Sequence, residues 1–186
     1  MLRTPQFYEL WVMYAINAGA GLMIVGQLAT LVKDLTKTDK GFIVVALLAL
    51  GNAGGRLLAG TLSDKMGRVR TLQIFTVLQA VFMFITPQFS NFTLVTLCAM
   101  AIGMNYGSNL ALFPAFTKDF FGLKNFGINY GFVFTAWGIG SLMALLAGWM
   151  KGKYLVYNPA LYTAGALLAV TLALSFIVKK PEAAKA

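Results

Sequence analysis

Residues 41–70 read G-F-I-V-V-A-L-L-A-L-G-N-A-G-G-R-L-L-A-G-T-L-S-D-K-M-G-R-V-R. Positions 41–62 are apolar or glycine except at Asn52, Arg56 and Thr61. A helix needs about 20 such residues to cross the hydrocarbon core of a bilayer. The run does not alternate between apolar and polar residues, as a membrane β-strand would, and a helix satisfies its own backbone in lipid. The stretch therefore predicts a transmembrane helix that is followed by a charged loop.

Runs of the same character fill most of the remaining chain. They lie at 7–32, 71–87, 92–117, 126–150 and 159–178. Of the 186 residues, 59% are hydrophobic and 11% charged, whereas a soluble domain carries about a quarter charged residues. The sequence therefore predicts an all-α membrane protein, with six transmembrane helices in one domain over residues 1–186.

The net charge of +9 reports membrane orientation rather than nucleic-acid binding, because the basic residues lie between the apolar runs. With the N-terminus in the cytoplasm, nine lysines and arginines fall inside: Arg3, Lys65, Arg68, Arg70, Lys118, Lys124, Lys179, Lys180 and Lys185. Five fall outside: Lys33, Lys37, Lys40, Lys151 and Lys153. Cytoplasmic loops carry the excess of basic residues, so both termini are predicted to be cytoplasmic.

The sequence contains few of the residues that enzymes commonly use for catalysis. The chain has no histidine, one cysteine (Cys98) and six acidic residues, all of them predicted at helix ends or in loops. The common zinc ligands and the common general base are therefore missing or isolated. We expect no enzyme activity, no metal site and no cofactor.

A weak internal repeat appears when the sequence is shifted by 88 residues. Asn17 then falls on Asn105, and the Leu-Leu-Ala-Gly string at 57–60 falls on the same string at 145–148. Matches of leucine, alanine and glycine also arise by chance in membrane segments, so both explanations stay open. A true repeat of three helices would place its second copy inverted in the membrane, as in many secondary transporters with a site near the midplane. The predicted fold is therefore a 3+3 inverted repeat.

The loop after the quoted helix has the pattern G-x-x-x-D-K-x-G-R-x-R. Its members are Gly60, Asp64, Lys65, Gly67, Arg68 and Arg70. Gly67 permits a tight turn, and the cations suit both Asp64 and the carbonyl groups at a helix C-terminus. The pattern predicts a conformational-switch loop that latches helix ends together in one state and releases them in another. A solvated positive loop is the simpler alternative.

This loop resembles the signature loop of the major facilitator superfamily, which joins the second and third helices of each six-helix half. The segments 103–114 (GMNYGSNLALFP), 119–131 (DFFGLKNFGINYG) and 136–140 (AWGIG) are similar to the oxalate–formate antiporter family and its monocarboxylate-transporting relatives. The likeness covers nearly the whole chain, but only as that family's C-terminal half. Because family members have twelve helices, the resemblance implies an absent N-terminal six-helix half, supplied as a partner chain or replaced by a second copy.

Arg56 lies eight residues before Asp64, which places it about 12 Å from the end of the helix. Half of the hydrocarbon core is about 15 Å, so Arg56 is predicted near the midplane. A central arginine costs about 2.5–3.5 kcal/mol, and no acidic residue is predicted at its depth. Its planar guanidinium suits a carboxylate, which makes Arg56 a candidate anion site. A snorkelling arginine, or one paired with an acid of the absent half, is the alternative.

Asn52 is four residues before Arg56 and therefore lies on the same helix face. In the monocarboxylate transporters that the chain resembles, an asparagine and an arginine at this spacing bind the substrate carboxylate. The resemblance thus implies substrate binding by Asn52 and Arg56. Four residues of the fourth and fifth runs fall near the same depth and are predicted to line the cavity, with helix packing as the alternative: Asn105, Tyr106, Phe134 and Trp137.

Residues 126–150 contain no lysine or arginine, although the resemblance places a second cation there in oxalate exchangers. One cation fits a monocarboxylate such as formate, lactate or pyruvate better than oxalate. The predicted function is secondary active transport of a small organic anion by alternating access, in the cell (inner) membrane of a bacterium. Antiport and proton symport both stay open. A non-transporting membrane module and an inactive half-carrier are the alternative functions.

Overall fold

The computed structural model describes residues 1–179 and is helical almost throughout. Its helices are α1 (Pro5–Val25), α2 (Leu28–Thr36), α3 (Gly41–Met66), α4 (Arg68–Ile85), α5 (Phe92–Phe121), α6 (Phe126–Gly140), α7 (Leu142–Tyr154) and α8 (Asn158–Ile177), with a 3₁₀ turn at Thr86–Gln88. The predicted all-α fold class is confirmed. Lys180 and Lys185, which entered the topology argument, lie outside the described residues.

Within residues 1–179, five segments are long and apolar enough to cross a membrane, where the sequence predicted six. They are Pro5–Val25, Gly41–Met66, Arg68–Gln88, Phe126–Tyr154 and Asn158–Ile177. The difference is α5, which at 30 residues is long enough but carries polar side chains. Asn105, Ser108 and Asn109 are all buried, so the polar groups of α5 face the interior of the bundle.

Two of the predicted runs are each divided into two helices. The run 7–32 forms α1 and α2, which are separated at Gly26 and Gln27, and the run 126–150 forms α6 and α7, which are separated at Ser141. The divided helices pack closely together, since a Cβ atom added to Gly140 would lie 2.7 Å from the carbonyl oxygen of Ala15.

The closest helix contact joins α3 to α5 through four glycines, Gly51 and Gly55 on α3 and Gly103 and Gly107 on α5. A Cβ atom added to any of them would lie 2.0–2.4 Å from a backbone carbonyl oxygen of the facing helix. Small residues spaced four apart let membrane helices approach in this way. The backbones of α3 and α5 therefore touch directly, and the two helices form one unit.

Buried apolar side chains form two core clusters at different depths. The loop-side core, on the side of the loop that joins α3 to α4, includes Phe7, Leu72 and Phe116. The far-side core includes Met23 and Leu168. The level between these two cores is therefore the middle of the bundle.

A polar network ties α2 to α7 and α8 at the far end of the bundle. The Lys151 ammonium pairs with the Asp34 carboxylate, donates to the carbonyl oxygen of Leu155 at 2.6 Å and lies 5.0 Å from the ring centroid of Tyr157. The Tyr157 hydroxyl donates to Oε1 of Gln27 at 3.0 Å. The segment that follows the break after α1 is thus held by polar contacts as well as by packing.

Replacing Lys151 with methionine removes the ion pair while keeping a chain of similar length. We expect a loss of about 1 kcal/mol in stability, since half-exposed ion pairs contribute on that scale. Lys153→Met is the control, because the Lys153 ammonium lies over Trp149 and Tyr154 of its own helix. Thermal unfolding in detergent measures both variants, and equal melting temperatures would show that the network contributes nothing.

Candidate functional site

Asn52 and Arg56 are one turn apart on α3, and their side chains are joined by a hydrogen bond. Nε of Arg56 donates to Oδ1 of Asn52 at 3.1 Å. Arg56 is exposed, and no carboxylate of residues 1–179 lies within 4.0 Å of it. A guanidinium carries five N–H donors, so the two terminal nitrogens remain available for an anion while Nε fixes the orientation of the group.

Tyr106 of α5 and Trp137 of α6 are joined by a second side-chain hydrogen bond. Nε1 of Trp137 donates to the Tyr106 hydroxyl oxygen at 2.9 Å. Because this oxygen accepts from the indole, the hydroxyl hydrogen remains free to be donated. Gly107, which follows Tyr106, touches the backbone of Asn52, since a Cβ atom added there would lie 2.1 Å from the Asn52 carbonyl oxygen. The Tyr106 and Asn52 positions are therefore neighbours across the contact of α3 with α5.

An aromatic wall stands beside these polar groups. The rings of Phe134 and Trp137 stack with centroids 5.6 Å apart, and Tyr130 follows at 5.6 Å from Phe134. Tyr14 of α1 stacks on Phe113 at 4.2 Å and lies 6.2 Å from Phe134. The wall thus combines side chains of α1, α5 and α6, and it can pack against an apolar substituent of a bound molecule.

Tyr14 is the member of this group whose position in the site is hardest to predict from the sequence. Its side chain is fully buried, and its hydroxyl lies close to the hydroxyl of Tyr130. The signal available in the sequence was a tyrosine within a long apolar run.

Five of the six predicted cavity residues belong to two adjoining groups. Asn52 and Arg56 form one pair, and Tyr106, Phe134 and Trp137 form the other group. Asn105 is in neither, because its side chain is fully buried and makes no hydrogen bond to another described side chain. The structure thus places Asn105 inside the bundle, at a depth similar to that of Tyr106 but on a different face of α5.

Arg68 is the centre of the charged loop. Its Nη1 atom donates to Oδ1 of Asp64 at 2.6 Å and to the Ser63 hydroxyl at 2.5 Å. Its Nε atom donates to Oδ2 of Asp119 at 3.0 Å. Asp119 was not among the predicted loop residues, and it belongs to the end of α5. Arg68 therefore ties the ends of α3 and α5 to the start of α4.

The other predicted loop residues surround this centre. Gly67 is the single residue between α3 and α4 and has a φ of +91°, a conformation that favours glycine. Lys65 and Arg70 are exposed. Gly60 is helical, and a Cβ atom added there would meet nothing within 4 Å. The described residues thus require glycine at position 67 and not at position 60.

Gly67→Ala tests this turn. We expect a loss of about 1–2 kcal/mol in the free energy of unfolding, because an L-residue is strained at positive φ. Gly60→Ala is the matched control and should be neutral or slightly stabilising, since alanine favours a helix over glycine by about 1 kcal/mol. Thermal unfolding of both variants measures the difference, and a Gly67→Ala protein as stable as the Gly60→Ala protein would contradict the prediction.

Comparison with known proteins places this chain in a family. The sequence profile of the Major Facilitator Superfamily matches residues 10–186. The chain is 32% identical over 145 residues to the uncharacterized MFS-type transporter YhjX of Escherichia coli (strain K12), a match that covers 76% of this chain and 36% of that protein. It is 33% identical over 161 residues to the oxalate:formate antiporter of Oxalobacter formigenes, covering 80% of this chain and 38% of that protein. The chain thus spans well under half the length of either relative, and it belongs to the Major Facilitator Superfamily.

Proposed function

We propose that this chain forms the C-terminal half of a carrier for a small organic anion, and that Arg56 binds the carboxylate of that anion. The observation that supports this most is that the guanidinium of Arg56 is exposed although it lies within a membrane span. Its orientation is fixed by the hydrogen bond to Asn52 at 3.1 Å. An unpaired cation at this depth is costly, and a bound anion lowers that cost.

The geometry also supports a particular mode of binding. Because Nε of Arg56 is committed to Asn52, a carboxylate would accept two parallel hydrogen bonds from the terminal nitrogens. The free hydroxyl hydrogen of Tyr106 supplies a further donor beside them. The apolar part of a substrate such as lactate or pyruvate would then pack against Phe134 and Trp137.

A monocarboxylate is the substrate class that we propose first. α6 and α7 contain no cation before Lys151, so Arg56 is the cation available near the aromatic wall. Oxalate exchange is the second candidate, because one relative of the chain is named an oxalate:formate antiporter. A dicarboxylate would require a second cation from another chain.

The proposed partner is an N-terminal six-helix half or a second copy of this chain. Large apolar side chains project from α3 and α6, including Leu57 and Ile128, which are 74% and 66% exposed. Along α6, a Cβ atom added to Gly127 or Gly131 would meet nothing within 4 Å. These faces suit either lipid or a closely packed second half. The two halves would rock about the Arg56 site in alternating access, in a bacterial inner membrane with both termini of this chain in the cytoplasm.

The test uses the six hydrophobic segments encoded upstream of this chain, if the reading frame holds them, or the N-terminal half of a relative. Proteoliposomes with both halves are compared with proteoliposomes with this chain alone, using radiolabelled formate, lactate, pyruvate and oxalate. We expect saturable monocarboxylate uptake with both halves. Uptake by proteoliposomes with this chain alone would show that a second copy serves as the partner. Uptake of oxalate alone would favour exchange, and absence of any anion uptake or binding would leave the inactive half-carrier or the non-transporting module as the better explanation.

A further inference from the structure

A polar layer lies in the middle of the bundle, between the two core clusters. We define it by five residues from four helices: Asn17 of α1, Thr76 and Gln79 of α4, Asn105 of α5 and Thr171 of α8. Each of the five is at most 1% exposed. Buried polar side chains are costly unless they are hydrogen-bonded, so the layer requires an account of its partners.

The positions of the neighbouring apolar residues fix the depth of the layer. On α5, Ile102 belongs to the far-side core and Tyr106 to the loop-side core. On α4, Phe75 and Met83 belong to the loop-side and far-side cores respectively. Asn105 and Gln79 therefore occupy the same level, and Thr171 lies between Leu168 and Leu174 of α8 in the same way.

Part of the layer is satisfied by its own side chains. The Thr76 hydroxyl donates to Oδ1 of Asn17 at 3.0 Å, and Nδ2 of Asn17 donates to the carbonyl oxygen of Met13 at 2.9 Å. Nε2 of Gln79 donates to the carbonyl oxygen of Asn17 at 3.3 Å. Every polar side-chain atom of Asn17 and Thr76 thus has a partner, whereas only one end of the Gln79 amide does.

Four buried atoms of the layer have no hydrogen-bond partner among residues 1–179. They are Oε1 of Gln79, Nδ2 and Oδ1 of Asn105, and Oγ1 of Thr171. Leaving a buried donor or acceptor unpaired costs the desolvation of that group. Such atoms lie on α4, α5 and α8 at one level, and each of them requires a partner.

The chemistry of the four atoms identifies that partner. A cation would pair with the oxygens and leave the Asn105 amide nitrogen unpaired, while an anion would pair with that nitrogen and the Thr171 hydroxyl and leave the two amide oxygens unpaired. None of the five residues of the layer is charged. Water both donates and accepts, and buried water makes about three hydrogen bonds to groups of this kind.

The layer is separate from the Arg56 site. At 3.6 residues per turn, Asn105 points away from Gly103 and Gly107, whose backbone touches α3. Arg56 lies on α3, beyond that contact. We propose that the polar layer is a second binding site in this chain, occupied by ordered water that hydrogen-bonds the unpaired atoms of Gln79, Asn105 and Thr171 and takes no part in binding the anion.

The proposal is tested by radiolytic hydroxyl-radical labelling. The chain is extracted from membranes together with any partner chain that is bound to it. Bound water generates radicals where it lies, so Met83, which is fully buried one turn from Gln79, should be oxidised. Asn105→Leu should remove most of this oxidation. Ser108→Ala is the matched control, because the Ser108 hydroxyl is satisfied within its own helix by the carbonyl oxygen of Asn105 at 2.6 Å. Absence of Met83 oxidation in the parent protein would overturn the proposal without any variant.

Thermal unfolding gives a second test, because the two explanations predict opposite changes in the melting temperature. If the layer holds water, Asn105→Leu removes ligands and lowers the melting temperature by about 2–4 °C or more. If Asn105 is simply unpaired and dry, leucine removes an unsatisfied amide and raises the melting temperature. A melting temperature of the parent that differs between sodium, potassium and choline chloride would assign the layer to a cation and overturn the water site.

Discussion

Arg56→Gln is expected to reduce anion uptake by the assembled carrier about a hundredfold or more. Glutamine keeps the ability to hydrogen-bond with Asn52 but removes the charge and the two terminal donors. Each hydrogen bond to a charged group is worth about 1.5–3 kcal/mol, and about 1.4 kcal/mol corresponds to a factor of ten. The initial rate of labelled formate uptake into proteoliposomes measures the effect.

Two further variants are the controls for this result. Arg56→Lys keeps the charge but loses the planar fork, so its uptake should lie between those of the parent and Arg56→Gln. Arg3→Gln removes a cation that is exposed before α1 and should transport like the parent. If Arg56→Gln transports as well as the parent, Arg56 does not bind the substrate.

Gly55→Ala is expected to have the largest effect on stability. Its new Cβ atom would lie 2.0 Å from the carbonyl oxygen of Met104, and this atom is backbone that cannot rotate aside. The helices must separate, and overpacking of this kind costs about 1–3 kcal/mol or more. We therefore expect a clear fall in the melting temperature and a smaller fraction of protein that remains monodisperse in detergent.

The neighbouring glycine is the control for this prediction. A Cβ atom added to Gly54 would meet nothing within 4 Å, and alanine favours a helix over glycine by about 1 kcal/mol. Gly54→Ala should therefore be neutral or stabilising. Equal destabilisation by both substitutions would show that the close helix packing at Gly55 is not the cause of the lower stability.

The helical fold could be predicted because long apolar runs leave the backbone few alternatives in lipid. The breaks at Gly26 and Ser141 could not, since each lies inside one of the predicted membrane-spanning runs. The number of apolar spans in the structure differs from the predicted number for a related reason. Asn105 and Asn109 lower the hydropathy of α5, but only the assembled bundle shows that they face its interior.

The candidate site was predictable to the extent that it is local. The spacing of Asn52 and Arg56 places them on one face, and a hydrogen bond between them follows from that spacing alone. The bond between Tyr106 and Trp137 joins different helices and depends on how each is rotated about its axis. The same limit applies to Asn105, whose depth follows from its position in the run while its direction does not.

The direct backbone contact between α3 and α5 has a consequence for recognition on the two sides of the membrane. Arg56 and Asn52 lie on one member of this pair and Tyr106 on the other. Because the two backbones are in direct contact, we expect the two helices to move together and to keep the spacing of these three groups whichever side is open. If Arg56 binds the anion as proposed, the anion should be held with similar affinity from the cytoplasm and from outside, and the direction of net flux should follow the concentration gradients.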